Sequence, residues 1–249
     1  MKVFSVYGYT QTGKTTTIEC IIRELKKRRY SVGSVKEIHF EEFKIDQKGT
    51  NTFRHREAGS QLVTARGLFE TDILYPTKLS IPEILTHYDH DYVICEGATD
   101  YNMPRILTGA TIEDLEKRWS KGVFAISGKI ADSMDEYRGV PVINALDQCE
   151  KLVDLIEEKV FNLLPDVDEA CCTACGTNCR DFCEGVLRGK YKVEDCVQNN
   201  KEVEVYVNGK PLDMVPFVQN IIQHTMRGLL SQLEGYKENS TIHIEIRGD

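Results

Sequence analysis

Residues 8–15 read Gly8-Tyr9-Thr10-Gln11-Thr12-Gly13-Lys14-Thr15, a full match to G-x-x-x-x-G-K-S/T. The run before it, Val3 to Tyr7, is short and apolar. The run after it, Thr15 to Arg29, places Ile18, Ile21, Ile22 and Leu25 at helical spacing. Strand, glycine-rich turn and helix in this order make a phosphate cradle. Gly8 and Gly13 let the backbone curl so that its N–H groups point inward, and the helix start adds partial positive charge. In such a cradle Lys14 reaches the β- and γ-phosphates, the Thr15 hydroxyl ligates Mg2+, and Thr16 hydrogen-bonds the α-phosphate.

Further along, apolar runs at Val32 to Val35, Tyr92 to Cys95, Val123 to Ser127 and Val140 to Ile143 read as strands between helical stretches. Short, continuously apolar strands are what a parallel sheet covered on both faces requires. The expected fold is therefore α/β, a P-loop NTPase three-layer sandwich with a mostly parallel sheet. Its last helix is expected over about 147–164, with Cys149, Leu152, Val153, Ile156, Val160 and Leu163 facing inward. The nucleotide-binding domain then covers 1–165. Residues 166–249 form a small cysteine-rich α+β domain: Val203, Val205 and Val207 alternate as in a strand, Asn208-Gly209 marks a turn, Val218 to Leu233 carry a helical stripe, and Ile242, Ile244 and Ile246 alternate again. So small a unit buries little core and is expected to dock on another surface.

A cradle for a Mg2+-bound phosphate also needs a carboxylate. Val93-Ile94-Cys95-Glu96-Gly97 is an apolar strand ending in an acid, which puts Glu96 at the carboxyl end of the sheet, where open α/β sheets bind ligands. Asp46, in a polar loop, is a second candidate. Lys14 and Glu96 are the residues expected to serve hydrolysis. The segment Asn144-Ala145-Leu146-Asp147 is open to two readings. It resembles the guanine-reading N-K-x-D without its lysine, in which case Asp147 accepts from guanine N1 and N2. It equally makes a helix start with Asn144 as N-cap.

The 249 residues carry a net charge of −8, which excludes a general binder of nucleic-acid backbones. No apolar run approaches a membrane span, and Met1 to Tyr7 is too short for a signal peptide, so a cytoplasmic protein is expected. Of the nine cysteines, Cys20, Cys95 and Cys149 lie among apolar neighbours, while Cys171, Cys172, Cys175, Cys179, Cys183 and Cys196 crowd into one stretch. In a reducing compartment that crowding reads as metal binding.

The stretch from Gly8 to Gly97 resembles the molybdopterin-guanine dinucleotide biosynthesis protein B family, a group of P-loop GTP-binding proteins. Beyond the cradle, the likeness is carried by Val32-Gly33-Ser34-Val35-Lys36 with His39, by Asp46 and Gly49, by Phe53-Arg54-His55-Arg56-Glu57-Ala58-Gly59-Ser60, and by Glu96-Gly97 followed by Pro104-Arg105-Ile106. It covers about the first two-thirds of the chain. It implies a dimeric partner protein that binds GTP and Mg2+, assists nucleotide attachment to molybdopterin, and hydrolyses nucleotide weakly; the residues by themselves leave GTP and ATP both open. The residues carried over are Gly8, Gly13, Lys14, Thr15 and Thr16 for phosphate, Asp46 and Glu96 for the metal, and Arg54, His55 and Arg56 for anionic ligands. Glu37 stands where the family usually has histidine, and Arg105 where it has lysine.

The stretch from Cys172 through Cys175 and Cys179 to Phe182, Gly189 and Cys196 resembles a 4Fe-4S module of corrinoid iron–sulfur proteins. That resemblance implies Cys172, Cys175, Cys179 and Cys196 as ligands, with Cys183 or Cys171 as alternative fourth ligands. Zn2+ is the rival metal, although all-cysteine zinc sites usually show two separated C-x-x-C pairs. Two functions follow: a GTP-binding partner in molybdenum-cofactor maturation that also carries a cluster, or a nucleotide-driven iron–sulfur electron carrier or metallocluster chaperone.

Overall fold

The computed structural model describes residues 1–40, 43–44, 46–165, 175–199, 203–208, 210–212, 214, 216–237 and 242–244. The chain divides into two compact units, Met1–Leu163 and Leu164–Asp249.

The first unit runs β1 (Lys2–Gly8), α1 (Lys14–Lys27), β2 (Val32–Lys36), α2 (Asn51–Glu57), β3 (Val63–Arg66), β4 (Thr71–Leu74), α3 (Ile81–Leu85), β5 (Tyr92–Glu96), β6 (Arg105–Thr108), α4 (Ile112–Arg118), β7 (Val123–Ser127), the hairpin β8 (Glu136–Tyr137) and β9 (Val140–Pro141), and α5 (Cys149–Lys159). Five strands form one sheet in the order β2-β5-β1-β6-β7, and every pairing within it is parallel. The mostly parallel α/β sheet of a P-loop NTPase is thus present, with β1 in its centre.

The register fixes what shares the carboxyl edge. Lys36 lies opposite Glu96, Glu96 opposite Val6, Gly8 opposite Thr108, and Thr108 opposite Ser127. Alternation along β1 sends Val3 into a cluster with Ile81 and Leu85 of α3, and Tyr7 into one with Leu115 of α4. Phe4 and Val6, fully buried, turn to the opposite face, where α1 and α5 pack side by side. Ile21 and Leu25 of α1 and Leu152, Val153 and Ile156 of α5 are fully buried. Each such side chain is worth about 1.5–3 kcal/mol relative to exposure. Arg28 clips the two helices together with 2.7 Å and 2.6 Å bonds to Asp154 and Glu157.

Several expectations change. The strand β6 was not expected, because its four residues begin with an arginine. Arg105 is nevertheless buried: its guanidinium donates to Ser120 Oγ and to the carbonyls of Thr99 and Tyr101, and lies 5.9 Å from the Tyr7 ring. The last helix is shorter than 147–164. It starts at Cys149 and stops at Lys159, where Val160 turns extended and the chain runs on to the bridge between Asn162 and Lys2 at the amino end of β1. Cys149 and Leu163 are only half-buried as a result. The strand expected over Val140 to Ile143 is divided between the β8–β9 hairpin and one bridge from Val142 to Ile126 of β7.

The second unit contains α6 (Cys179–Leu187), a 3-10 turn (Val193–Asp195), the hairpin β10 (Tyr206–Val207) and β11 (Lys210–Pro211), and α7 (Pro216–Leu230). Asn178 caps α6 by accepting from the Asp181 N–H. Phe182 stacks on Tyr191 with centroids 5.1 Å apart, and Gly185 leaves room for that ring. Strand pairing reaches only Tyr206 and Val207, short of the run expected from Val203. Ile242 to Ile244 pair with no strand among the described residues, and Ile246 lies outside them. On α7, Val218, Ile221 and Leu229 of the expected stripe are exposed, while Ile222, Met226 and Leu230 are half-buried.

Arg105 generates the first test. Arg105→Ala leaves three acceptors and a buried aromatic without their cation, and is expected to cost about 2–4 kcal/mol of stability in urea unfolding. Arg105→Lys is expected to recover less than half of that, since an ammonium cannot span the same fork.

Candidate nucleotide-binding site

The loop between β1 and α1 is shaped by what lies beneath it. A Cβ on Gly8 would stand 2.2 Å from the Thr108 carbonyl oxygen, and one on Gly128 would stand 2.2 Å from the Thr12 carbonyl oxygen. Only glycine fits at either position. Thr12, buried at 3% exposure, bonds through its hydroxyl to the Tyr9 carbonyl and the Thr108 hydroxyl, both at 2.8 Å. The Lys129 N–H donates to the Thr12 carbonyl at 3.2 Å. The loop is therefore tied to the ends of β6 and β7. Thr108 and Gly128 were not singled out from the sequence; a hydroxyl residue followed by glycine at two strand ends, Thr108-Gly109 and Ser127-Gly128, was the available signal.

Lys14 folds back over the loop and donates to the carbonyls of Gly8, at 3.1 Å, and Tyr9. Burial pushes its ammonium below the usual lysine range; the Glu96 charge opposes this, while Lys36 and Arg118 add to it. The Thr15 hydroxyl donates to Glu96 Oε1 at 3.4 Å, so the two residues expected at the metal converge. Lys36 Nζ lies 2.7 Å from the same oxygen. Arg118 places its guanidinium 4.7 Å from the ring of Tyr9, within the cation–π range. Thr16, next on α1, is exposed.

Other expected residues lie in different settings. Asp46 is buried and accepts from the hydroxyls of Thr50 at 2.7 Å and Thr52 at 2.8 Å, with Arg56 at 3.5 Å. The Thr50 hydrogen bond above all holds its carboxyl below the usual range. Asp46 thus braces the start of α2, and no contact joins it to Thr15 or Glu96 among the described residues. Arg54 and His55 are exposed on α2, while Arg56 is half-buried over Phe53. Glu37, the departure from the histidine pattern, pairs with Lys78 at 2.8 Å.

Asn144 is not the helix cap. Its amide donates to Asp132 at 2.7 Å and its oxygen accepts from the Leu146 N–H, while Gln148 holds the N-cap position of α5. Asp147 is exposed in the turn between them.

For the cysteine segment, Cys183 and Cys196 are buried and Cys175 and Cys179 half-buried, and the Cys175 thiol donates to the Thr177 carbonyl. Among the described residues no group of three or more His, Cys, Asp or Glu is arranged to hold a metal ion. Cys171 and Cys172, two of the expected ligands, lie outside them.

Residues 3–121 match the family model of MobB, molybdopterin guanine dinucleotide synthesis protein B. A protein of Methanocaldococcus jannaschii, provisionally named a molybdopterin-guanine dinucleotide biosynthesis adapter protein, is 28% identical over 99% of this chain and 97% of its own length. The molybdopterin-guanine dinucleotide biosynthesis adapter protein of Haemophilus influenzae is 31% identical over 42% of this chain and 61% of its own. The crystal structure of Bacillus subtilis MobB superposes with a TM-score of 0.55 at 23% identity, covering 66% of this chain and all of the other; that likeness concerns the fold. Family model, relatives and fold all support the resemblance to MobB proteins. The archaeal relative extends it across the second unit as well.

The tight packing under the loop makes Gly128→Ala a sharp probe. The variant is expected to fold, since the clash is local, yet to lose at least about tenfold in nucleotide affinity as Thr12 is pushed out of place. Isothermal titration beside a thermal melt separates the two effects.

Proposed function

We propose that this chain is a MobB-type adapter: it binds GTP with Mg2+ at the β1–α1 loop and serves molybdopterin guanine dinucleotide biosynthesis beside a protein partner. One observation carries the reading. Lys14, Thr15 and Glu96 converge at the end of β1, within the segment that matches the family model.

The donor set fits the ligands. A hydroxyl and a carboxylate 3.4 Å apart, at the mouth of a loop with its own lysine, suit a hard divalent cation on a polyphosphate. When bound, Mg2+ neutralises phosphate charge. Lys14 exchanges its two carbonyl partners for phosphate oxygens, and the loop N–H groups with Gly8, Gly13, Thr15 and Thr16 hold the chain of phosphates. Glu96 serves as the metal carboxylate, and Asp46 holds the start of α2. Asp147, three residues after Asn144, reads guanine and favours GTP over ATP. Arg54, with the His55 ring beside it on α2, offers exposed nitrogen donors to an anionic ligand. Hydrolysis is weak, as the resemblance implies, with Lys14 and Glu96 serving it. The protein works in the cytoplasm as a homodimer.

The crowding of six cysteines between Cys171 and Cys196 supports an iron–sulfur cluster in the second unit, on Cys172, Cys175, Cys179 and Cys196. Metal and sulfide analysis of anaerobically purified protein tests it: iron with acid-labile sulfide, lost in Cys175→Ser, is expected. Zinc, or iron content indifferent to that change, removes the cluster.

Lys14→Ala is expected to abolish GTP binding by titration calorimetry while leaving the fold and any cluster intact. Asp147→Ala is expected to lower GTP affinity about tenfold and leave ATP unchanged. Equal GTP and ATP affinities in the unaltered protein would remove the guanine assignment.

A further inference from the structure

One ion pair sits where the proposed metal belongs. Glu96 Oε1 is the oxygen that the Thr15 hydroxyl approaches, and it is also the oxygen held by Lys36 Nζ at 2.7 Å. The two partners differ in freedom. The Glu96 side chain is 15% exposed and the Lys36 side chain 58% exposed. Their backbones are fixed opposite each other by the parallel β2–β5 ladder, so the pair is built by the sheet rather than by a loose surface contact. The carboxylate is thus a fixed anion, and the ammonium a cation on a flexible stem that can leave toward solvent. Without ligand, burying Glu96 unpaired would be costly, and Lys36 removes that cost.

We propose that Lys36 is the exchangeable counter-ion of Glu96, occupying the place of the divalent cation and yielding it when Mg2+ arrives with nucleotide. The inference rests on the Mg2+–GTP reading and deepens it. The exchange is a ligand swap in which nothing is oxidised or cleaved: Glu96 Oε1 passes from ammonium to metal, and Lys36 keeps its proton and charge. The displaced ammonium stays on the rim it shares with Lys14. There it meets the negative charge of the incoming polyphosphate, so the charge given up by Glu96 is used again on the ligand.

Removing the internal cation should expose the site to an external one. The probe is Mn2+, titrated into nucleotide-free full-length protein and followed by the EPR signal of free Mn2+. Lys36→Met is expected to tighten Mn2+ binding about tenfold, the order expected when a half-buried carboxylate loses a contact cation. Lys36→Arg, which keeps the charge, is expected to bind Mn2+ as the unaltered protein does. The Lys36→Met gain is expected to vanish when Glu96→Gln is added. Circular dichroism of each variant checks that the fold is kept.

Unchanged or weaker Mn2+ binding by folded Lys36→Met, in a protein that still binds GTP, overturns the inference alone. A tenfold gain in a protein that binds no GTP supports the counter-ion and defeats the nucleotide reading. A gain that persists without the Glu96 carboxylate also overturns the inference, because the released site would then lie elsewhere.

Discussion

The first unit depends on a close approach between backbones at the carboxyl edge of its sheet. The Thr108 carbonyl presses on Gly8 and the Thr12 carbonyl on Gly128, at distances where a Cβ would stand only 2.2 Å away. Parallel pairing of β1 with β6, and of β6 with β7, sets those contacts, and the contacts set the shape of the phosphate loop. Packing of this kind leaves few alternatives. A loop held from below by two strand ends cannot relax into solvent without breaking the Thr12 hydroxyl bonds to Tyr9 and Thr108. Binding geometry is thus inherited from the core, since the same strands carry the side chains that pack against α1, α3, α4 and α5.

Electrostatics adds a second layer. At the carboxyl edge Lys14 feels the charges of Glu96, Lys36 and Arg118, and Lys36 pairs with Glu96. Such a rim is locally cationic on a chain whose net charge is −8, which favours approach of a polyanion at this place over others. Arg105, by contrast, spends its charge inside the fold, bonding carbonyls and a hydroxyl beneath the site.

How much could be read from the residues varies with physical cause. The β1–loop–α1 unit was legible because spacing, glycines and apolar periodicity agree there. Glu96 was legible because an acid ends an apolar strand, and it does approach Thr15. Strand β6 was hidden: Arg105 breaks the apolar pattern, and tertiary acceptors such as Thr99, Tyr101 and Ser120 make its burial tolerable. Asp46 looked like a metal ligand because a polar loop says nothing of Thr50, Thr52 and Arg56 closing on it. The end of α5 was overrun because Val160 and Leu163 continue the helical stripe, while Val160 turns extended and Asn162 bridges to Lys2. Lys36 stood in view within a quoted motif, but its partner lies sixty residues away across a parallel ladder.

The position of Lys14 has a bearing on time rather than on affinity. Its ammonium spans the loop and rests on the Gly8 and Tyr9 carbonyls, bracing the curvature that Gly8 and Gly128 permit. A cradle braced in this way orders little on encounter, and in such a site charge and diffusion set the arrival of a polyanion. Departure is a different matter, since phosphate must be exchanged for carbonyl oxygens that are waiting within reach of the same ammonium. A lysine with a second resting place lowers the barrier to letting go. The same ammonium thus has two sets of oxygen partners, one in the loop and one on a ligand, and the balance between them sets how long a phosphate stays.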